Sequence, residues 1–323
     1  MINFISYRRL GTIILGLLIS FVALKTSLHE VVWRDVAQTI TKVPLILGAG
    51  CAACLAAGIC FRGLRWWVLL REPVPGPMCF SGATFSGACA NQVLPGRLGE
   101  LFKIYVLSRW GQIGLACALG SAILDRACDA LVLVLTIIAL AMFLKVEGLG
   151  SLNGGILTLI VSGVVLGLFI ALSGRLRAAL ERWTERAASG WSLKPAIFLS
   201  TLFDLVGRQF DVAQAQRLIL CAALVLGADY GAIALAVASA GLSLPAEAPL
   251  LLWVALASSA MVPAGPAHLG VYQWAAVWSL GVYAVPRHEA VAVAFILQAL
   301  LFAVSVTGAT VFFLSRRPRS LPH

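Results

Sequence analysis

From Ala248 to Pro286 the chain runs 39 residues without one Asp, Glu, Lys or Arg, and Pro263-Ala264-Gly265-Pro266 stands near the middle. A water-facing surface cannot be built from such a stretch. At about 1.5 Å per helical residue it is also longer than one crossing of a hydrocarbon core about 30 Å thick. It must form two pieces in a membrane, parted by the prolines. The remainder of the chain agrees: of 323 residues, 60% are hydrophobic and 12% charged, against about 25% charged in a soluble domain. A soluble enzyme, a secreted disulfide scaffold and a disordered chain are excluded. The expected fold class is an all-α polytopic membrane protein.

Other apolar runs supply its spans. Arg8 and Arg9 precede a run at 10–24 with no small-x-small cleavage site, which reads as a retained first span. A run at 44–70 ends in Arg62, Arg65, Trp66, Trp67 and Arg71, a basic and aromatic belt expected at the membrane surface. Residues 112–144 are too long for one straight crossing, so 127–144 is expected to span with Asp129 at the membrane edge. Residues 155–172, 218–242 and 289–314 read as further spans.

The polar region 174–217 holds seven bases and four acids. Its Leu176, Ala179, Leu180, Trp183 and Ala187 fall on one helical face, as in an interfacial amphipathic helix. Bases gather there, at Arg8 and Arg9, in the 62–71 belt and at Arg316, Arg317 and Arg319. The positive-inside rule makes that side cytoplasmic, with both termini, in a bacterial-type inner membrane. The 25–43 loop falls outside, despite Lys25, Arg34 and Lys42. The formal net charge of +10 thus reports topology and contact with anionic headgroups, and no nucleic-acid partner is expected.

The chain reads as one membrane domain, 1–323, built on an inverted repeat. The first repeat, 44–144, contains a broken segment at 73–109, and the second, 218–314, contains one at 248–286. Pro95 and Gly99 mark the first break; Pro263, Gly265, Pro266 and Gly270 mark the second. Re-entrant hairpins and paired full crossings both satisfy the topology. Irregular backbone at membrane depth is costly unless protein or a water-filled cavity covers it. Two such breaks at matching places point to a transporter.

Charged side chains cluster beside the first break. Arg97, Glu100 and Lys103 recur every three residues, on one helical face. A helix starting there would aim its free N–H groups at an anionic headgroup. Asp125, Arg126 and Asp129 form a second cluster. Each charge costs about 2.5–3.5 kcal/mol at the bilayer centre on insertion scales, so pairs of Arg97 with an Asp and of Arg126 with Glu100 are expected. Two readings stand side by side: a headgroup site with Asn91, and a structural ion-pair network. Asp229, alone in its span, reads as a proton relay or a hydrogen-bonded strut. His268, the one titratable side chain of the 39-residue run, reads as a coupling group or an inert hydrogen-bonded one. Eight scattered cysteines, Cys51-x-x-Cys54 included, and four histidines show no metal-ligand spacing, so no metal and no cofactor is expected.

Three motifs carry a resemblance. They are Asn91-x-x-x-Pro95-x-Arg97-x-Gly99-Glu100, Asp125-Arg126-x-x-Asp129 and Pro263-x-x-Pro266-x-x-x-Gly270-Val271. Over roughly residues 10–314 the sequence resembles the flippase-like transmembrane family, also called the lysylphosphatidylglycerol synthase transmembrane region or UPF0104. Where that family often has Gly-Gly after the second proline and Glu after Gly-Val, this chain has Ala267-His268 and Gln273. The resemblance implies a membrane protein that handles or translocates lipids: anionic, hopanoid or polyprenyl-linked. Synthase activity is not expected, because the sequence shows no soluble aminoacyltransferase domain after Leu314.

The function expected is movement of an anionic or isoprenoid-type lipid between leaflets. Two rivals remain. Asp125-x-x-x-Asp129 is the spacing with which intramembrane prenyl-phosphate transferases hold Mg²⁺ on a diphosphate, although a second acidic motif is missing. Alternatively, the chain scaffolds lipid-synthesis enzymes, docking them on 174–217.

Overall fold

A computed structural model describes residues 20–29, 31–70, 75–94, 98–143, 212–261 and 264–315. Pro95, Arg97, Pro263, the 155–172 span, the 174–211 part of the polar connection and the basic residues at both chain ends lie outside the described residues. The described residues are helical throughout, with turns between helices. Residues 20–27 form helix. They are followed by α1 (Trp33–Thr41), α2 (Leu45–Leu69), α3 (Pro77–Val93), α4 (Leu98–Gly111) and α5 (Leu115–Phe143). After the undescribed stretch come α6 (Val212–Ser239), α7 (Glu247–Ser259), a 3₁₀ turn (Pro266–His268), α8 (Val271–Gly281) and α9 (Arg287–Ser315).

Among the described residues, α2, α6 and α9 are long and apolar enough to cross a membrane. At 25, 28 and 29 residues each exceeds the about 20 needed to span. The chain is an all-α polytopic membrane protein. Around the two breaks the helices are shorter, 17 and 14 residues for α3 and α4, 13 and 11 for α7 and α8. Proline sets these limits. α3 stops two residues ahead of Pro95, whose ring removes a donor and disfavours helical backbone before it.

Residues 112–144, too long for one straight crossing, hold α5, one uninterrupted helix of 29 residues, about 43 Å long. No proline lies within it, and its mid-helix charges are paired. The 25–43 connection holds the nine-residue helix α1 and the end of the 20–27 helix.

The chain forms two compact units. One comprises 1–62, 81–103 and 223–317; the other comprises 63–80, 104–222 and 318–323. In the first, α7 packs on α8, α8 on α9 and α9 on α1. Its core is rich in small side chains, with Cys51, Ala232, Ala236, Ala275, Ala276, Ala290 and Ala294 all buried around Leu252, Leu280 and Val293. Small residues let helix backbones approach closely where lipid gives no hydrophobic drive to associate. In the second unit Trp66 is fully buried, stacking edge-on against Phe80 at 5.4 Å. Its indole N–H donates to Ser121 Oγ at 2.9 Å.

Candidate functional site

In the second unit, Arg65 from α2 reaches two carboxylates one turn apart on α5. Its Nε and Nη2 donate to Asp125 Oδ1 at 2.9 and 2.8 Å, and Nη2 also donates to Asp129 Oδ1. Arg126 closes the cluster from the other side, with Nη1 3.2 Å from Asp129 Oδ2 and Nη2 3.4 Å from Asp125 Oδ2. Among the described residues, two acids here meet two bases. Exposure separates the arginines: the Arg65 side chain is 1% accessible and that of Arg126 41%. Arg65 is a sequestered counterion, and Arg126 faces outward.

Arg65 is the residue that sequence reasoning left out of the site. The belt expected at the membrane surface buries both Arg65 and Trp66. Charge accounting carried the signal: isolated acids in apolar helices require cations, and Arg62 and Arg65 one turn apart were available. Other partners are seen for Arg126 and Glu100, which were expected to pair. Arg126 binds Asp125 and Asp129, while Glu100 Oε2 lies 2.9 Å from Lys103 Nζ within α4. Arg97 lies outside the described residues, so its pairing with an Asp does too.

In the first unit, α3 and α4 run antiparallel on either side of the first break. The Gly99 N–H donates to Asn91 Oδ1 at 2.9 Å. A Cβ on Gly87 would lie 2.7 Å from Lys103 Cβ and 2.9 Å from the Gly99 carbonyl. Pairs 91 with 99 and 87 with 103 are both centred on position 95, which makes this a hairpin. Asn91 is therefore the cap that joins its arms. Its oxygen occupies an N–H that an incoming anion would otherwise use.

The second break is held by amides. Gly270 N–H donates to Gln273 Oε1 at 2.7 Å, and Gln273 Nε2 donates to Gln298 Oε1 at 2.6 Å. Gln298 Nε2 then donates to the Ala267 carbonyl at 2.9 Å. Ser20 Oγ accepts the Gly265 N–H at 2.7 Å. Irregular backbone here is satisfied by side chains from residue 20, α8 and α9, as a low-dielectric setting demands. Pro266 and His268 stand in the 3₁₀ turn, with His268 half-buried. Ser20, Gln273 and Gln298 escaped the sequence-based site because Ser20 and Gln298 meet the break only through tertiary contacts from distant positions.

Asp229, the one charged residue of 218–242, has its partners on other helices. Its Oδ2 accepts from Arg62 Nη2 and, at 3.0 Å, from Trp253 Nε1, tying α6 to α2 and α7. A Cβ on Gly58 would sit 3.0 Å from Asp229 Oδ1, so the glycine makes room for the ion pair. Among the described residues no group of His, Cys, Asp or Glu is disposed to hold a metal ion. Asp125 and Asp129 spend their oxygens on two guanidinium groups, an arrangement unlike an acidic pair kept open for Mg²⁺.

The sequence profile described as Lysylphosphatidylglycerol synthase TM region matches residues 13–308. The chain belongs to this family. No curated protein matches it. In this member of the lysylphosphatidylglycerol synthase transmembrane family, two places after the second proline carry strained backbone. Ala267 and His268 occupy those places with φ of +53° and +55°, left-handed backbone that glycine adopts without strain and other residues do not.

Proposed function

We propose that this chain moves an anionic lipid between the leaflets of a bacterial-type inner membrane, with Arg126 as the contact for the headgroup phosphate. One observation carries the reading: Arg65, buried, hydrogen-bonds both Asp125 and Asp129 from within, and Arg126, the second base on the pair, is left half-exposed. A phosphate can take Arg126 from Asp129 without stranding a buried carboxylate, since Arg65 remains bound to both. A diphosphate of an isoprenoid-type lipid presents the same oxygens. Arginine suits either, because its planar fork meets phosphate oxygens two at a time.

The two helix–break–helix segments support movement rather than static binding. We read them as re-entrant hairpins of an inverted repeat, with termini facing the cytoplasm. Breaks satisfied by side chains can exchange partners at little cost, which continuous helices cannot. Association with lipid-synthesis enzymes is compatible with this role.

The test is reconstitution in liposomes carrying a fluorescent phosphatidylglycerol in one leaflet. Wild type is expected to speed exchange over protein-free liposomes, and Arg126→Ala to lose most of the gain while remaining folded. Exchange no faster than in empty liposomes, across phosphatidylglycerol, phosphatidylcholine and a polyprenyl phosphate, overturns the reading. Mg²⁺-dependent prenyl transfer abolished by Asp125→Asn would replace it with the enzyme.

A further inference from the structure

The short helix α1 divides its surface into three. At about 100° per residue, Trp33, Ala37 and Ile40 fall on one arc, Asp35, Val36 and Thr39 on the next, and Arg34, Gln38 and Thr41 on the third. The middle arc is the sheltered one. Val36 is 3% exposed and packs on Val291 and Ala292 of α9, while Asp35 and Thr39 are half-buried. Both flanking arcs are open, and they differ in chemistry. Trp33 and Ile40 keep 55% and 40% of their surface, although the Trp33 ring lies 6.3 Å from Phe295. Arg34, Gln38 and Thr41 are exposed as well.

A helix that merely shielded the protein core would turn its apolar arc inward. This one rests its middle arc on α9 and leaves an apolar edge and a polar edge free, on opposite sides of the contact. That division fits a boundary between oil and water. Its place fits too. Only Lys42, Val43 and Pro44 separate α1 from the spanning helix α2, whose Leu45 and Ile46 are 88% and 80% exposed. The α9 residues it touches lie in the first turns of a second spanning helix, which begins at Arg287. α1 therefore crosses where two spans begin.

We infer that α1 is an in-plane membrane-surface helix. Its Trp33–Ile40 edge enters the acyl boundary, and its Arg34–Gln38 edge, with Lys42, lies among anionic headgroups. Partly immersed aromatic residues and outward bases are what interfacial binding requires. The inference needs only that α2 and α9 cross the membrane, and stands apart from the question of lipid movement.

Tryptophan quenching in vesicles of equal parts phosphatidylcholine and phosphatidylglycerol tests it. The emission lost between wild type and Trp33→Phe isolates the Trp33 component. Lipids brominated near the glycerol are expected to lower that component about twofold, with aqueous acrylamide having little effect. In the Trp33→Phe background, Ile40→Trp is expected to restore a bromolipid-quenched signal, whereas Gln38→Trp adds a signal quenched by acrylamide. If bromolipid leaves the Trp33 component unchanged, or quenches the Gln38→Trp signal as strongly as that of Ile40→Trp, the inference fails. Equal acrylamide quenching at both positions would assign the face to a water-exposed or protein-docking role instead.

Discussion

Arg65 and Arg126 share two carboxylates but answer to different surroundings, and substitutions should separate them. Arg65→Ala strands buried Asp125 beside a weaker, half-exposed partner. Breaking a buried pair from one side costs about 3–5 kcal/mol, so thermal unfolding in detergent should show a large loss or no folded protein. Arg126→Ala removes a half-exposed charge while Arg65 still binds both acids. Its stability cost should stay within about 1 kcal/mol. A stability loss for Arg126→Ala as large as for Arg65→Ala would refute the division of labour. At Ala267 the strain is in the backbone. Left-handed φ costs a non-glycine residue about 1–2 kcal/mol, so Ala267→Gly should raise the unfolding midpoint, and an unchanged or lowered midpoint would contradict that account.

Glycines separate elements that touch from elements that do not. A Cβ on Gly99 would run into the Gly87 carbonyl and the Asn91 side chain, where backbone cannot yield. Gly99→Ala should prise α3 from α4 and cost about 1–3 kcal/mol, as overpacking does. Gly227 lies inside α6 with nothing within 4 Å of an added Cβ. There the helix gains, and Gly227→Ala should stabilise by up to about 1 kcal/mol. Melting curves of the two variants should shift in opposite directions. The elements themselves were largely readable. Expected spans at 44–70, 218–242 and 289–314 correspond to α2, α6 and α9, because an unbroken apolar run of that length has one stable form in lipid. The partner of the α5 charges was not readable: Asp125, Arg126 and Asp129 carry a net negative charge, and Arg65 from α2 supplies a second base.

For the whole molecule, an anionic headgroup on Arg126 should stabilise the folded state by mass action. Phosphatidylglycerol added to detergent-purified protein is expected to raise the unfolding midpoint more than phosphatidylcholine does, and Arg126→Ala to erase the difference. Equal shifts from both lipids would remove the headgroup contact. Helix α2 contributes to both compact units, its residues through Arg62 belonging to one and those from Gly63 to the other.

Composition, apolar run length and two proline breaks were enough to specify an all-α membrane protein with interrupted segments. These are properties of each stretch against its solvent, and they need no knowledge of neighbours. Which charge meets which was decided only by the tertiary structure. Sequence spacing places Asp125 beside Arg126 and Asp129, but Arg65 reaches them from 60 residues away, and Asp229 meets Arg62 from 167. Buried ion pairs and amide networks join residues across helices, and the register in which helices pack is set by small side chains such as Gly58 and Gly87, whose role appears only when the opposing surface is in place.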